Sequence, residues 1–504
     1  MSDGLQSDVL QTPQKTTLDK LPPEILRLIC SLFCGHCCGQ SLLYNGPDDD
    51  GVQQDGGIKA LRILCETSHV LRSIAQPIVF HRITIPRRSR FSSILYILSI
   101  CPHLAACVKD FAQGLEMMPE TFPDDDDDDF IDLTDAARTL EMDSPTDPEF
   151  TKLLKDSAAS TKFRIDLAIA LCPNLTTMSL RVDREPTKTD FCYLSTRFQN
   201  LGHASLPQLR HLRFNSDDGK GFPLSNRGVR LIVYVAPNLE QLIFNGTTGF
   251  ASLPSSQHAI DTVFPKLPFL RALEFHNCAF PDDARAAFIQ RMIEHSPCLE
   301  LFRYRARYHY FGGRIEEHLP GSRILKWLQS RQETFKYLDL NLSDMYDVLY
   351  PKHATNLTGK KLLAGLTNLQ TLRLDETAFC SHFHEPSNPA KTCLTDILPK
   401  SLSVLVLGLM ATSHVWTDLA ELADQVADKG FPHLKHVKLY FNLPKHKAEE
   451  WMPSMYAFQE SVKRHGPKLR DRFMESGVTL GIARGCSYTD LEACMLGANF
   501  LESW

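Results

Sequence analysis

The sequence contains no uninterrupted apolar run of about 18 residues, which is what a helix needs to cross a bilayer. Its first twenty residues lack the basic start and apolar core of a secretion signal. Clustered basic charge is missing as well, and the formal net charge is −6 at pH 7, so attraction to nucleic acid or anionic lipid is not expected. These absences predict a cytoplasmic or nuclear protein that binds neither membranes nor nucleic acid.

Signatures of catalysis and of disulfide frameworks are also missing. The chain has no Walker loop, GxSxG elbow or HExxH pair, and no motif that places a nucleophile beside a base. We therefore expect a protein that is not an enzyme, has no catalytic residues and needs no cofactor. Its 15 cysteines are an odd number, scattered from Cys30 to Cys494 without the dense spacing of secreted domains, which predicts reduced thiols.

What the sequence does contain is a short apolar pattern that recurs through most of the chain: leucine, two residues, leucine, one residue, leucine. Other apolar residues replace leucine at some positions, and successive copies begin 29 to 36 residues apart. Most copies follow a proline by two or three positions, which fits a turn before a strand. The nine copies are Leu175/Met178/Leu180, Leu209/Leu212/Phe214, Leu239/Leu242/Phe244, Leu270/Leu273/Phe275, Leu299/Phe302/Tyr304, Phe335/Leu338/Leu340, Leu369/Leu372/Leu374, Leu402/Leu405/Leu407 and Leu434/Val437/Leu439.

The alternation within each copy predicts a strand with its apolar side chains on one face. Such a strand is not stable alone. Burying three apolar side chains contributes roughly 1.5–3 kcal/mol each, whereas ordering about thirty residues costs about 1–2 kcal/mol per residue. Helical stretches at 282–295 and 416–430 separate copies of the pattern. The sequence therefore predicts an α/β solenoid, a curved parallel sheet with helices on its convex side.

Several segments outside the nine copies complete this prediction. Residues 101–111 form an expected opening repeat, and residues 447–477 and 478–485 an expected closing helix and strand. Residues 119–150 contain six consecutive aspartates, Asp124 to Asp129, which repel one another and have little to bury. We expect a disordered loop there, and a docking tail for a basic partner is the alternative. In the opening repeat, the residues expected to face inward are Leu104, Val108 and Phe111.

This arrangement resembles the leucine-rich-repeat family, specifically its longer, cysteine-containing type, over residues 100–480. The main basis of the resemblance is the regular spacing of the copies, 29 to 36 residues. Family repeats have Asn or Cys eight positions after the first leucine, and here only Cys278 and Asn442 match. The repeats are therefore degenerate members of that type.

Two apolar segments precede the repeats. Residues 18–33, LDKLPPEILRLICSLF, predict a helix that starts at two prolines, and residues 58–85 predict a second helical unit that Pro77 ends. The stretch LPPEIL at 21–26 resembles the opening of the F-box, and residues 64–75 look like its closing helix. Residues 75–81 are similar to the segment after this domain in fungal members. The chain thus resembles a fungal-type F-box protein with C-terminal leucine-rich repeats.

The resemblance implies a function. Family members use the F-box to bind the Skp adaptor of a cullin-RING ubiquitin ligase, and they present the repeat surface to the protein that is ubiquitinated. An apolar residue in the F-box-like segment can equally belong to the domain's own core, because adaptor docking and internal packing require the same side chains. The residues that the resemblance assigns to adaptor binding are Leu21, Pro22, Glu24, Ile25, Leu28, Ile29, Leu64, Leu71 and Ile74.

The chain departs from the F-box pattern at residues 34–57, which are inserted after the first helix and could weaken adaptor docking. The insert contains Cys34, His36, Cys37 and Cys38, which suggests zinc. A structural zinc site needs a second pair of ligands, and downstream only Cys65 and His69 offer a suitable spacing. We therefore predict no metal site from the sequence and keep zinc as the alternative.

Residues between the apolar positions of each strand should face away from the core and offer a surface for a protein substrate. In 301–314, LFRYRARYHYFGGR, arginines alternate with tyrosines, a composition typical of binding hot spots. Phosphate and base contacts or a packed strand with extended arginines are alternatives. The residues predicted to contact substrate are Arg213, Asn245, Glu274, Arg303, Arg305, Tyr337, Asp339, Arg373 and Lys438.

The resulting division of the chain has a disordered start at 1–17, an F-box-like helical domain at 18–85, a solenoid at 86–485 and a tail or cap at 486–504. The function expected from the resemblance is that of a substrate-recognition subunit of a Skp/cullin-RING ubiquitin ligase. Its partners are a Skp-type adaptor, through it a cullin, and an unidentified protein substrate. The alternative is an interaction scaffold with a vestigial F-box that joins no ligase.

Overall fold

In a computed structural model, three short helices precede a parallel sheet that carries helices along one face. The structure describes residues 18–38, 55–85, 88–113, 161–182, 206–216, 221–224, 227–247, 265–280, 283–306, 319, 321–342, 360–376, 394–409, 415–441 and 451–483. The predicted disordered segments 1–17 and 119–150, the tail 486–504, Asn442 and residues 307–314 lie outside these ranges. None of the described helices is both long and apolar enough to cross a bilayer.

The described strands form one 12-stranded sheet in which every pair of neighbours is parallel and the spatial order equals the chain order. The strands are β1 (Arg82–Ile85), β2 (Asp110–Gln113), β3 (Thr177–Val182), β4 (His211–Ser216), β5 (Gln241–Asn245), β6 (Ala272–Cys278), β7 (Leu301–Ala306), β8 (Tyr337–Asn341), β9 (Thr371–Asp375), β10 (Val404–Leu409), β11 (His436–Phe441) and β12 (Thr479–Ala483). Parallel neighbours require crossover connections, and helices occupy several of them.

The helices fall into a group before the sheet and a group between its strands. They are α1 (Pro23–Ser31), α2 (Asp55–Thr67), α3 (His69–Val79), α4 (Arg88–Ile100), α5 (Pro102–Ala105), α6 (Thr161–Leu171), α7 (Arg227–Val235), α8 (Asp283–His295), α9 (Gly321–Leu328), α10 (Lys360–Ala364), α11 (Leu394–Ile397), α12 (Val415–Ala427) and α13 (Trp451–Glu475). Those predicted at 282–295, 416–430 and 447–477 correspond to α8, α12 and α13.

The leucine pattern sets the register of the sheet. The second position of each copy pairs with the second position of the next, from Met178 on β3 to Val437 on β11. The pairing then continues to Leu480 on β12. These positions, together with the first and third of each copy, are buried in one continuous apolar core. The predicted stacking of the copies is confirmed.

Both ends of the sheet extend beyond the nine copies. Leu104, Val108 and Phe111 are buried and lead into β2, and β12 lies within the predicted strand 478–485, so the expected opening and closing segments are confirmed. The sheet begins earlier than the sequence predicts, because β1 lies inside the segment assigned to the helical domain and pairs with β2. Ile83 and Ile85 bury their side chains in the core of the sheet, which explains why this strand joins it.

Turns before the strands are held by side-chain amides that reach the preceding repeat. Asn174, Asn238 and Asn368 each donate to a backbone carbonyl, at 2.9, 2.9 and 2.8 Å. Each bond satisfies a carbonyl oxygen that would otherwise need water or another donor. Asn174 and Asn238 directly follow a proline, whereas Asn368 does not, so in these turns the asparagine amide connects successive repeats whether or not a proline precedes it.

Candidate functional site

The first three helices, in residues 18–38 and 55–79, form a helical module with a core of its own. Leu26 and Cys30 of α1 meet Leu61 of α2 and Leu71 of α3 in an apolar cluster that is separate from the core of the sheet. The Ser68 hydroxyl accepts a hydrogen bond from Leu71 N–H at 3.2 Å and starts α3 as an N-cap. This cap divides the apolar segment 58–85 into two helices. Pro77 does not end the second one, which continues to Val79 because a proline in the last turn removes only one hydrogen bond.

Helix α1 is apolar on two sides, and only one of them is buried. Leu26 is 1% exposed, whereas Leu28 and Leu32 are 61% and 67% exposed. Ile25, Leu28 and Leu32 follow the i, i+3, i+7 spacing of one helix face, and Phe33 follows directly. We call Ile25, Leu28, Leu32 and Phe33 the α1 apolar face. A helical surface of this kind is typical of a protein-binding site.

The residues that the resemblance assigns to adaptor binding differ in their exposure to solvent. Pro22, Glu24, Ile25 and Leu28 are exposed. Leu21, Ile29 and Leu64 are half-buried. Leu71 and Ile74 belong to the core of the helical module, so they support the surface without being part of it. Exposed Leu32 and Phe33 are absent from the predicted set, because they follow the part of the segment that matches the motif.

A group of cysteine and histidine side chains lies where the helical module meets the sheet. Cys34, His36 and Cys37 come from the turn after α1, and His81 precedes β1. Their potential ligand atoms all lie within 4.8 Å of one another, and among the described residues they form the one group suited to a metal ion. Cys65 and His69, the second pair considered from the sequence, are not members. His81 was missed, because 44 residues separate it from Cys37 and no local spacing connects them.

The two thiols of this group have different acidities. Burial alone would raise the pKa of Cys34, but hydrogen bonds from His36, His81 and the Cys37 backbone outweigh it and lower the pKa to about 5. Burial, followed by the charge of Cys34, raises the pKa of Cys37 to about 12. Cys34 is therefore the more acidic of the two thiols, and burial together with the charge of Cys34 favours the protonated form of Cys37.

The face of the sheet opposite the leucines carries a polar row. Parallel register aligns Arg213, Glu274, Arg303, Asp339 and Arg373 at equivalent positions of β4, β6, β7, β8 and β9, with Ile243 of β5 between the first two. From β6 to β9 the sign of the charge alternates from strand to strand. Neighbouring strands are about 4.8 Å apart, so each charge has an opposite charge within reach.

Ion pairs join the members of the row from β6 to β9. Arg303 lies 2.8 Å from Glu274 and 3.0 Å from Asp339, and Arg305 approaches Asp339 to 3.4 Å. Gln241 donates to Glu274 at 2.7 Å. The guanidinium of Arg373 lies 4.8 Å from the ring centroid of Tyr440, a cation–π contact. The row is thus a connected network across six strands, β5 to β9 and β11.

The residues that the sequence predicts to contact substrate differ in how far they are exposed to solvent. Arg213, Glu274, Asp339 and Arg373 are buried, so their alignment on the sheet face does not by itself make them accessible. The half-buried members are Asn245, Arg303, Arg305, Tyr337 and Lys438. In β7, Tyr304 is fully buried while Arg303 and Arg305 pair with carboxylates, which supports a packed strand with a partly accessible arginine edge.

Comparison with known proteins gives no assignment. No protein-family model matches the chain, and no curated protein sequence matches it significantly.

Proposed function

We propose that this protein is a substrate receptor of a Skp/cullin-RING ubiquitin ligase. In this proposal, the helical module is an F-box that binds a Skp-type adaptor, and the sheet with its helices is a leucine-rich-repeat solenoid that binds the protein to be ubiquitinated. The protein itself contributes binding and orientation, and the ligase's other subunits supply the chemistry.

The α1 apolar face is the observation that carries the proposal. Seven of the 13 large apolar residues that are exposed in the described part of the chain lie within the helical module. Covering a leucine side chain contributes roughly 1.5–3 kcal/mol, so a partner with an apolar groove would gain several such contributions from one helix. The sequence LPPEIL, which resembles the start of an F-box, leads into the same helix and forms its first turn.

The second surface is on the sheet face. The half-buried residues Arg303, Arg305 and Tyr337 lie side by side on β7 and β8, where Arg303 is 5.7 Å from the ring centroid of Tyr337. Arginine and tyrosine are the residue types that contribute most at protein interfaces. We propose this pair of strands as the centre of the substrate surface.

The test is binding of a purified Skp-type adaptor to the full chain. Leu28→Ala together with Leu32→Ala removes two exposed side chains and leaves the core of the helical module intact, so we expect binding to weaken at least roughly tenfold per leucine. The matched control is Tyr234→Ala on α7, which removes a 68% exposed side chain far from the helical module and should leave binding unchanged. A folded wild-type chain that binds no adaptor would favour the alternative, an interaction scaffold with a vestigial F-box.

A further inference from the structure

We infer that Cys34, His36, Cys37 and His81 bind one zinc ion. The donor set is two sulfurs and two imidazole nitrogens, which is a common composition of structural zinc sites. The inference is independent of adaptor binding, because it concerns the junction between the helical module and the sheet and not the α1 apolar face.

The distances within the group are close to those of a tetrahedral site. Zinc holds sulfur at about 2.3 Å and nitrogen at about 2.0–2.1 Å, so ligand atoms around one ion are separated by about 3.3–3.8 Å. The Nδ1 atom of His81 lies 3.2 Å from Sγ of Cys37 and 3.9 Å from Sγ of Cys34. The Nδ1 atom of His36 lies 3.9 Å from Sγ of Cys37. All four ligand atoms lie within 4.8 Å of one another, so shifts of up to about 1 Å bring them to an ion at their centre.

Local backbone structure prearranges the group. The N–H of Cys38 bonds to the carbonyl of Cys34 at 3.0 Å, which closes a turn and places Cys34 and Cys37 on the same side. The carbonyl of His81 accepts hydrogen bonds from Lys109 and Asp110, both at 2.9 Å, so the start of β2 fixes this residue. Each of the two ligand-bearing segments is thus fixed by backbone hydrogen bonds of its own.

Asp110 places a buried carboxylate next to the backbone of His81. Its Oδ2 pairs with Arg82 at 3.3 Å, while its buried Oδ1 has no hydrogen-bond partner in the part of the chain that the structure describes. Its backbone is bonded directly to that of His81. Carboxylates beside ligand histidines commonly accept the second ring N–H and fix the tautomer that binds metal.

The neighbouring thiol gives a matched control within the same turn. Sγ of Cys38 bonds to the carbonyl of Leu32 at 3.3 Å, so it is directed back to the end of α1 and away from the group. Cys34 is buried and Cys37 is exposed, which leaves one open side through which an ion can enter. The bound zinc would fasten the end of α1 to the residue before β1 and so fix the helical module on the sheet.

The experiment is elemental analysis of the full chain, purified under reducing conditions, by mass spectrometry of the metal content. We expect about one zinc per chain in the wild type and in Cys38→Ser, and a loss of at least about tenfold in Cys37→Ser and His81→Ala. Circular dichroism establishes that each variant is folded. Replacing zinc by Co²⁺ should give the visible absorption bands of a tetrahedral site with thiolate ligands, and those bands should be lost in the same two variants.

Several outcomes would overturn the inference. These are a folded wild-type chain that takes up neither zinc nor Co²⁺, an equal loss of metal in Cys38→Ser, and a stoichiometric metal other than zinc. A Cys34–Cys37 disulfide that forms in the cell without any metal would also overturn it, and it would identify the two cysteines as a redox pair. A chain that holds zinc but binds no adaptor would keep this inference and refute only the proposed function.

Discussion

Glu274 is a buried carboxylate that stays charged within the polar row. Burial alone would raise its pKa, but the Arg303 guanidinium and the hydrogen bond from His276 hold it well below its ordinary value. The Nε2 atom of His276 lies 2.9 Å from the Oε2 atom of Glu274. Burial lowers the pKa of His276 itself to about 4, and the nearby Arg305 adds to this effect against the opposing influence of Glu274. The histidine is therefore neutral in the folded protein above that pH.

This pair predicts how stability depends on pH. Unfolding frees His276 to take up a proton near pH 6.5, whereas the folded state does so only near pH 4. Stability should therefore fall as the pH drops from about 6.5 to 4, by up to roughly 3 kcal/mol from this residue. Glu274 adds a further loss below its ordinary pKa of 4.5.

Denaturant unfolding between pH 7 and pH 4 measures this effect. His276→Gln keeps a donor for Glu274 and cannot titrate, so its stability should fall less over this range than that of the wild type. His436→Gln, which replaces an exposed histidine on β11, should behave like the wild type. Parallel pH profiles of the wild type and His276→Gln would contradict the role assigned to His276.

At the scale of elements, the approach of α2 to the end of α1 requires a glycine. A Cβ atom on Gly57 would overlap with the carbonyl oxygen of Phe33, whereas a Cβ atom on Gly56 would meet nothing within 4 Å. We therefore expect Gly57→Ala to destabilise the helical module by about 1–3 kcal/mol. Gly56→Ala should be neutral or stabilise it by up to about 1 kcal/mol, because alanine favours a helix over glycine.

Hydrogen exchange of peptides from α1 to α3 is the measurement, because it reports on the helical module separately from the sheet. Faster exchange in Gly57→Ala than in Gly56→Ala is the expected result. Equal exchange in the two variants would mean that the end of α1 does not pack against α2 in this way.

Most strands of the sheet could be predicted from the sequence, and β1 could not. The triplets predicted the strands because apolar side chains that must share a core repeat at a fixed spacing, as at Leu338, Leu372 and Leu405. The strand β1 was missed, since Arg82–Ile85 contains no triplet and follows a segment with helical periodicity. Its place in the sheet is determined by pairing with β2, which is a contact between distant residues.

Burial on the polar sheet face could be predicted only in part. Alternation correctly places Asp339 and Arg373 opposite the leucines. It does not reveal that both are almost fully buried, because exposure depends on the neighbouring strands and on how closely their charges pair. The cysteines of the proposed zinc site were visible in the sequence because they lie close together along the chain, whereas His81 lies far from them. Three ligands share one turn, and the fourth is brought there only by folding.

At the scale of the whole molecule, the described residues contain two separate apolar cores. One belongs to the helical module and includes Leu26. The other runs along the sheet from Ile83 to Leu480 and includes Leu372. Truncating a leucine in either core costs about 2–5 kcal/mol, but each loss should be confined to its own unit because the cores share no buried residues.

Hydrogen exchange on two variants tests this separation. Leu372→Ala should accelerate exchange in β8, β9 and β10 and leave α1 to α3 unchanged, and Leu26→Ala should give the reverse pattern. Acceleration throughout the chain in both variants would show that the two cores unfold as one cooperative unit. Unchanged exchange around β9 in Leu372→Ala would contradict the stacking of the repeats.

The sequential order of the strands has a consequence for biosynthesis. Every strand from β2 to β12 pairs with the strand made just before it, so each new repeat finds a finished edge when it leaves the ribosome. Translation adds about 5–20 residues per second, and a repeat of about thirty residues therefore emerges every few seconds. The nascent chain can extend its sheet one strand at a time, without waiting for its C-terminal half.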